Sequence, residues 1–190
     1  MKKVLVFILT ISLAASSCGE DAATDTLDTA WSLFGAGDFA AAHIAFTLAA
    51  VDQPAAAYAG LGWTTLRMNK DSLSAADQWF AKSTLTDPLL TDAFAGWSIV
   101  AWANNDHTSC ISRAQTVLTQ DSQWQLFSTT INIDDIKYHK AFSHFRLGQY
   151  SECISLLQQL DPSWTAPSVN DANVDELLLD ELEWLYDDLI

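Results

Sequence analysis

Histidines, cysteines, tryptophans and acids are the residues of this 190-residue chain with chemistry to offer. His43, His107, His139 and His144 are scattered. His139 and His144 stand five apart, whereas two metal ligands sharing a helix face stand three or four apart. There is no HExxH, no glycine-rich phosphate loop, no GxSxG and no CxxC. Acidic pairs such as Asp134/Asp135 and Asp187/Asp188 recur, as they must where 24 residues are Asp or Glu, and they read as solvated faces rather than acid/base pairs. No run of Asp, Asn and Gly matches a calcium loop. The pattern points away from an enzyme, and it implies no cofactor and no metal. Eight tryptophans in this length are the more informative feature, because indole rings serve cores and recognition surfaces alike.

Composition narrows the partner classes. Hydrophobic residues make up 49% of the chain and charged residues 17%, which is ample for a packed core. The net charge is −15. Such a surface repels nucleic acid and anionic lipid headgroups and suits basic partners.

The first residues look like an export signal. MKK is a short basic region, and VLVFILTISLAA is an apolar core too short for a permanent membrane span. Ala15, Ser16 and Ser17 then precede Cys18, which resembles the bacterial lipobox, although Ala15 stands where Leu is usual. The resemblance implies cleavage before Cys18 and lipidation of its thiol and new amine. Two or more acyl chains hold a protein stably on a membrane. Ordinary secretion, with cleavage after Ala15 or Ser17, is the alternative. Loss of Lys2 and Lys3 with residues 1–17 leaves seven basic residues against 24 acidic ones, a charge of −17. Gly19 rather than Asp after the cysteine points to the outer membrane, facing the periplasm. Residues 18–26 are then a tether.

The elements that would position the aromatic residues repeat. The signals VDQP at Pro54, TDP at Pro88 and TQDS at Ser122 are spaced by 34 residues, and LDP at Pro162 closes a fourth unit after an insertion. Turn signals AGDF (Ala36 to Phe39), NKDSL (Asn69 to Leu73), NNDH (Asn104 to His107) and LGQY (Leu147 to Tyr150) divide each unit. Small residues recur where two helices must cross closely. They are Ala30, Gly62, Ser98 and Ala141 in the first helices and Ala42, Ala76, Cys110 and Cys153 in the second. Ala49, Ser83, Val117 and Leu160 mark the next crossing, and Phe46, Phe80, Ala114 and Leu157 fill between helices. Cys110 and Cys153 thus act as small buried fillers, a disulfide being the alternative in an exported protein.

Period and pattern resemble the tetratricopeptide repeat over about residues 27–162. The resemblance implies an all-α, short right-handed solenoid of about four helix pairs, at 27–54, 55–88, 89–122 and 132–162. A helix pair cannot bury its own apolar face, so the units must stack. The resemblance also implies a scaffold that binds a protein or peptide. In that family the first helices line a concave face. The matching positions here are Trp31, Phe34, Trp63, Leu66, Ile99, Trp102, Phe142 and Phe145, with Tyr138 one turn before Phe142 and with Arg67 and Arg146 at the edge.

These residues have three uses. They are core, or a groove for a partner peptide or helix, or a groove filled by the chain's own acidic C-terminal helix near Arg67 and Arg146. Capture of a glycan or small apolar ligand by the tryptophans is the alternative function. Two segments depart from the repeat. DSQWQLFSTTINI (Asp121 to Ile133) is a spacer or a binding loop. Residues 163–190 form a loop and then an acidic helix with Val174, Leu178, Leu182, Leu185 and Leu189 on one stripe, suited to capping the last repeat.

Overall fold

A computed structural model describes residues 18–69 and 71–189, with side chains described over 26–69 and 71–186. The signal segment 1–17 lies outside the described residues. The described chain is all-α: α1 (Cys18–Gly35), α2 (Phe39–Ala49), α3 (Pro54–Met68), α4 (Leu73–Thr86), α5 (Thr91–Ala103), α6 (His107–Gln120), α7 (Ile133–Arg146), α8 (Tyr150–Leu160) and α9 (Val174–Leu189). Since α1 begins at Cys18, the stretch 18–26 expected as a tether runs as helix.

Local chemistry sets the hairpins. In three of them the middle residue of a three-residue turn is left-handed: Gly37, Asn105 and Gly148. Each time its amide and the next one bond back into the preceding helix, to Phe34 and Leu33, Trp102 and Ala101, Phe145 and His144, at 2.9–3.0 Å. This double bond satisfies the last carbonyls of a helix. Asp38 and Asp106 then cap α2 and α6, each accepting from a backbone amide three residues on at 3.1 Å. Pro54 opens α3, where a missing amide is harmless.

The helices stack as antiparallel pairs, α1/α2, α3/α4, α5/α6 and α7/α8, each pair touching the next. The odd-numbered helices also touch one another in order, whereas among the described residues no even-numbered helix touches another even-numbered one. The odd helices therefore form the inner row and line the concave face. Ala30, Ala42, Ala76, Cys110, Ser98, Ala141 and Cys153 are wholly buried at the crossings. Phe46 and Phe80, also wholly buried, fit only because glycine faces them. A Cβ on Gly60 would collide with the Phe46 ring, and one on Gly96 with the Phe80 ring, which also crowds Gly62. In the third unit the filler shrinks to Ala114, and α7 carries no glycine.

Cys110 and Cys153 are free, buried thiols, pushed up to about 11 and about 12 by burial. They fill space and are not bridged.

Apolar side chains form two clusters. One joins α1 to α6 and takes in Trp124, Leu126 and Ile136. The other joins α7, α8 and α9, with Val174, Leu178, Leu182 and Leu185 of the expected stripe buried in it. The side chain of Leu189 is outside the described residues. The C-terminal helix packs on α7 and α8 alone among the described elements. It covers the end of the stack and does not reach α3, so of the three uses of the inner-row residues, filling by this helix does not hold near Arg67.

Candidate functional site

The concave face divides in two. Over α1, α3 and α5, the expected groove residues Trp31, Phe34 and Trp63 are 7%, 3% and 2% exposed. Trp31 meets the Phe46 ring edge-on at 4.8 Å between centroids, and Trp63 meets Phe80 at 5.8 Å. These rings carry the inner row onto the fillers of the outer one. Leu66 and Ile99 are half-buried at the edges of the same cluster.

What buries Trp63 from the concave side is the insertion. Its chain is extended at Trp124–Leu126, Gln125 pairing with Asn132 in an isolated antiparallel bridge. Leu126 donates its amide to the Ile131 carbonyl at 2.9 Å. Side chains of an extended chain alternate in direction. Trp124 and Leu126 are buried, 3% and 0% exposed, while Gln125 and Phe127 face solvent. Trp124 stacks on Trp63 with centroids 6.5 Å apart and planes 19° apart. Its indole Nε1 donates to Asp92 Oδ1 at 2.7 Å. Trp63 Nε1 donates to the backbone carbonyl of the same Asp92 at 3.1 Å. Burial raises the Asp92 carboxyl above its ordinary value, the Trp124 hydrogen bond opposes that, and the nearby Asp121 charge adds to it.

Farther along, the turn at Ser128 reaches α1: a Cβ on Gly35 would lie 2.5 Å from Cβ of Ser128. Beside it, Phe34, Arg67 and residues 128–131 border a cavity of about 190 Å³. Arg67 is exposed and lies 5.1 Å from the centroid of Phe39. The expected spacer is thus an occupant of the inner face.

The second half, over α7, is open. Tyr138 is 4% exposed, and Trp102, Phe142 and Phe145 are half-buried. Trp102 lies 4.5 Å from the ring of His139 and 5.9 Å from that of Phe142. Arg146, exposed, sits 5.9 Å from the Phe142 centroid, apart from Arg67 at the other end of the row. Between α7 and α9 runs a crevice of about 310 Å³, lined by Tyr138, Phe142, Leu179, Leu182, Glu183 and Tyr186.

Three of the four histidines are separately engaged. His43 bonds Thr64 at 2.8 Å, His107 bonds Ser143 at 3.4 Å, and His144 bonds Gln149 at 2.6 Å. His139 is buried, which pulls it down to about 4, against an opposing backbone contact at Asp135. Among the described residues no three His, Cys, Asp or Glu gather into a metal site.

Inner helices that touch in sequence, outer helices that do not, and a 34-residue step between the caps Asp38, Ser72 and Asp106 leave one architecture. The fold is a tetratricopeptide-type solenoid. The solved structure of a tetratricopeptide repeat protein from Parabacteroides merdae ATCC 43184 superposes with a TM-score of 0.58 at 11% identity, over 89% of this chain and 63% of that one. This chain therefore spans less than two thirds of that solenoid. No protein-family model and no curated protein matches the sequence.

Sequence reasoning missed Asp92, Trp124 and Leu126 in the solenoid's inner face, and Leu179 and Tyr186 in the crevice. The alternation of Trp124, Gln125, Leu126 and Phe127 was the available signal for the first group.

Proposed function

We propose that the protein is a non-catalytic interaction scaffold of the bacterial cell envelope, held on a membrane by lipid on Cys18, which receives a partner peptide or helix on the open half of its concave face. The observation that carries this is the crevice between α7 and α9: aromatic walls on one side, and the half-exposed Leu179 and Tyr186 on the other. Apolar side chains that stay partly wet at the mouth of a groove are what helix and peptide recognition uses. The α9 wall is acidic: Glu183 lines the crevice, and Asp175, Glu176 and Asp180 are exposed on the same helix, which has no basic residue, while Arg146 stands by Phe142 on the opposite wall. The two ion pairs among the described side chains, Arg113–Asp77 and Lys137–Asp134, lie elsewhere. A partner with basic residues flanking an apolar stripe fits this surface.

A photo-reactive residue at Leu179 should cross-link one defined protein in the native envelope, and that product should vanish with Tyr186→Ala and weaken with salt. Absence of any such product at low salt would overturn the assignment. A shift of aromatic fluorescence on adding oligosaccharides or small apolar ligands, with no protein captured, would favour ligand uptake, for which a crevice of this volume has room. Cys18→Ala should release the protein from the membrane fraction if lipid anchors it. Among the described residues no helix is long and apolar enough to cross a membrane. Gly19 rather than Asp after Cys18 supports an outer-membrane position facing the periplasm in a cell that has an outer membrane.

A further inference from the structure

We propose that the edge of the solenoid where successive pairs join, carrying Leu48, Val51, Leu85 and Leu89, seats on a zwitterionic phospholipid bilayer beside the anchor at Cys18. The proposal rests on the anchored-scaffold reading and adds to it which side of the protein meets the membrane.

Antiparallel pairing gives the solenoid two unlike edges. One holds the hairpin turns, and the other holds the joints between pairs together with the start of α1. The first two joints are neighbours, since residues 53–56 of one and Thr86, Asp87 and Leu90 of the other border a shared crevice of about 260 Å³. Gln120, at the end of α6, donates to the Pro88 carbonyl at 3.2 Å and so brings in the third. On this edge Leu85, Val51 and Leu89 are 87%, 83% and 75% exposed, the most exposed large apolar side chains among the described residues. Ile44 and Leu48 come next, and they lead along α2 to Val51 at helical spacing. α2 has no Asp, Glu, Lys or Arg. The hairpin edge is built instead from Gly37, Asp38, Asn104, Asn105, Asp106, Gly148 and Gln149. Its large apolar side chains, Met68 and Leu147, are much less exposed. Leucine and valine left this wet in one region mark a contact surface.

The start of the chain says what covers it. α1 runs from Cys18 to Gly35, so the anchor is joined to the solenoid by helix rather than by a flexible tether. At a rise of 1.5 Å per residue, Cys18 lies about 26 Å from Gly35, and Val51 lies about 18 Å from Phe39 on the antiparallel partner. The anchor thus projects about 8 Å past Val51, close to the depth of one headgroup layer, and a tilt of the helix removes the step. Acids on the edge choose the lipid. Asp52, Asp87 and Asp121 lie at the three joints, and Asp87 and Asp121 turn back to accept the amides of Leu89 and Gln123 at 2.9 Å each. Carboxylates there repel anionic headgroups and are indifferent to zwitterionic ones. A few side chains do not hold so acidic a chain on a bilayer alone, but beside an anchor the effective concentration is high enough for a weak contact to persist.

The test puts a photo-reactive diazirine side chain into the full chain at Val51, at Leu89 or, as the control on the hairpin edge, at Asn104. Envelope membranes are irradiated and the adducts are identified by mass spectrometry. The probes at Val51 and Leu89 should carry phospholipid about fivefold or more above the probe at Asn104. Val51→Glu with Leu85→Glu, both at sites open enough to leave the fold intact, should cut the Leu89 adduct by a similar factor while circular dichroism is unchanged. In vesicles of phosphatidylcholine the Leu89 adduct should exceed that in vesicles of equal parts phosphatidylcholine and phosphatidylglycerol, and the reverse order would overturn the choice of lipid. Equal labelling of both edges by phospholipid in the membrane fraction would overturn the seat. So would capture of a protein at Leu89, a second copy of this chain included. Recovery of the protein in the soluble fraction would overturn the anchor and the seat together, so the fraction in which the protein appears separates the two failures.

Discussion

Residues 121–132 and residues 163–189 both stand outside the helix pairs, and both cover apolar surface, but they do so with different secondary structure. The first is a turn-rich loop, extended at Trp124–Leu126 and folded back through the Gln125–Asn132 bridge, that buries Trp124 and Leu126 against the inner row. The second ends in the 16-residue helix α9 and covers the open side of α7 and α8 with Val174, Leu178, Leu182 and Leu185. The surfaces dictate this. The inner row is a narrow trough crossing several helices, into which a chain with period-two alternation fits. The end of the stack is one helix-pair face, matched by a stripe of period 3.6. One segment fills the solenoid and the other closes it, so one half of the concave face is taken and the other keeps a crevice.

The largest test of that contrast is to stop the chain after Pro162. Three leucines and a valine buried at 0–7% exposure lose their contacts, at about 1.5–3 kcal/mol each, so the loss rivals the whole stability of a typical domain. The α7/α8 pair should become dye-binding and unfold first on heating. Retention of the native melting point, followed by circular dichroism, would show that α9 covers nothing essential.

Next in size is a matched pair of tryptophans. Trp124→Ala removes a ring 3% exposed, its stack on Trp63 and its hydrogen bond to Asp92, and should cost about 3–5 kcal/mol. Trp184→Ala on α9 removes a ring 54% exposed and should cost within about 0.5 kcal/mol. Urea titration of both reads the difference directly, and comparable losses would erase the distinction between the inward and outward faces.

That contrast also shows where the sequence was legible. Ala42, Ala76 and Cys110 could be placed in the core because a 34-residue period fixes one position three times, and the LGQY turn sets the same position for Cys153; all four are fully buried. The stripe of α9 was legible because four turns of helix repeat it. Trp124 and Leu126 form one alternation of two residues, and so short a pattern does not say which surface it meets. The inner-row aromatics were ambiguous for a related reason. Trp31 and Trp63 occupy family groove positions, but Phe46 and Phe80 behind them and Trp124 in front turn those positions into core.

The halves also differ in acid. His139, in the open half, is at about 4 when folded against 6.5 when free. A group lowered by folding gives its full stability above the unfolded value and loses it as pH falls through the folded one. Acidification from 6.5 to about 4 should therefore remove roughly 3 kcal/mol at this site, from 1.36 kcal/mol per unit. Comparison with His139→Gln isolates it from Asp135 and Glu181, which burial shifts upward and which act in the opposite direction. The stability gap between the two proteins should narrow across that window. A gap constant with pH would show that His139 does not fold neutral.

The smallest effect lies in the filled half and has the opposite sign. Burial raises Asp92 above 3.8. A carboxyl raised by folding contributes stability below its unfolded value, and that contribution is lost as pH rises through the folded one. Asp92→Asn keeps an oxygen to accept the indole N–H of Trp124 and removes a half-buried charge. At pH 7 the variant should match or exceed the native chain by up to about 1 kcal/mol, since a charge without a cation partner is expensive to bury. The difference should close as pH falls through the raised folded value toward the 3.8 of a free carboxyl, since the native carboxyl becomes neutral too. Asp92→Ala, which abandons both indole acceptor and charge, should be clearly weaker than Asp92→Asn at every pH. If instead the two variants coincide, the carboxylate is not what holds Trp124, and the insertion stays in place by stacking and by Leu126 alone.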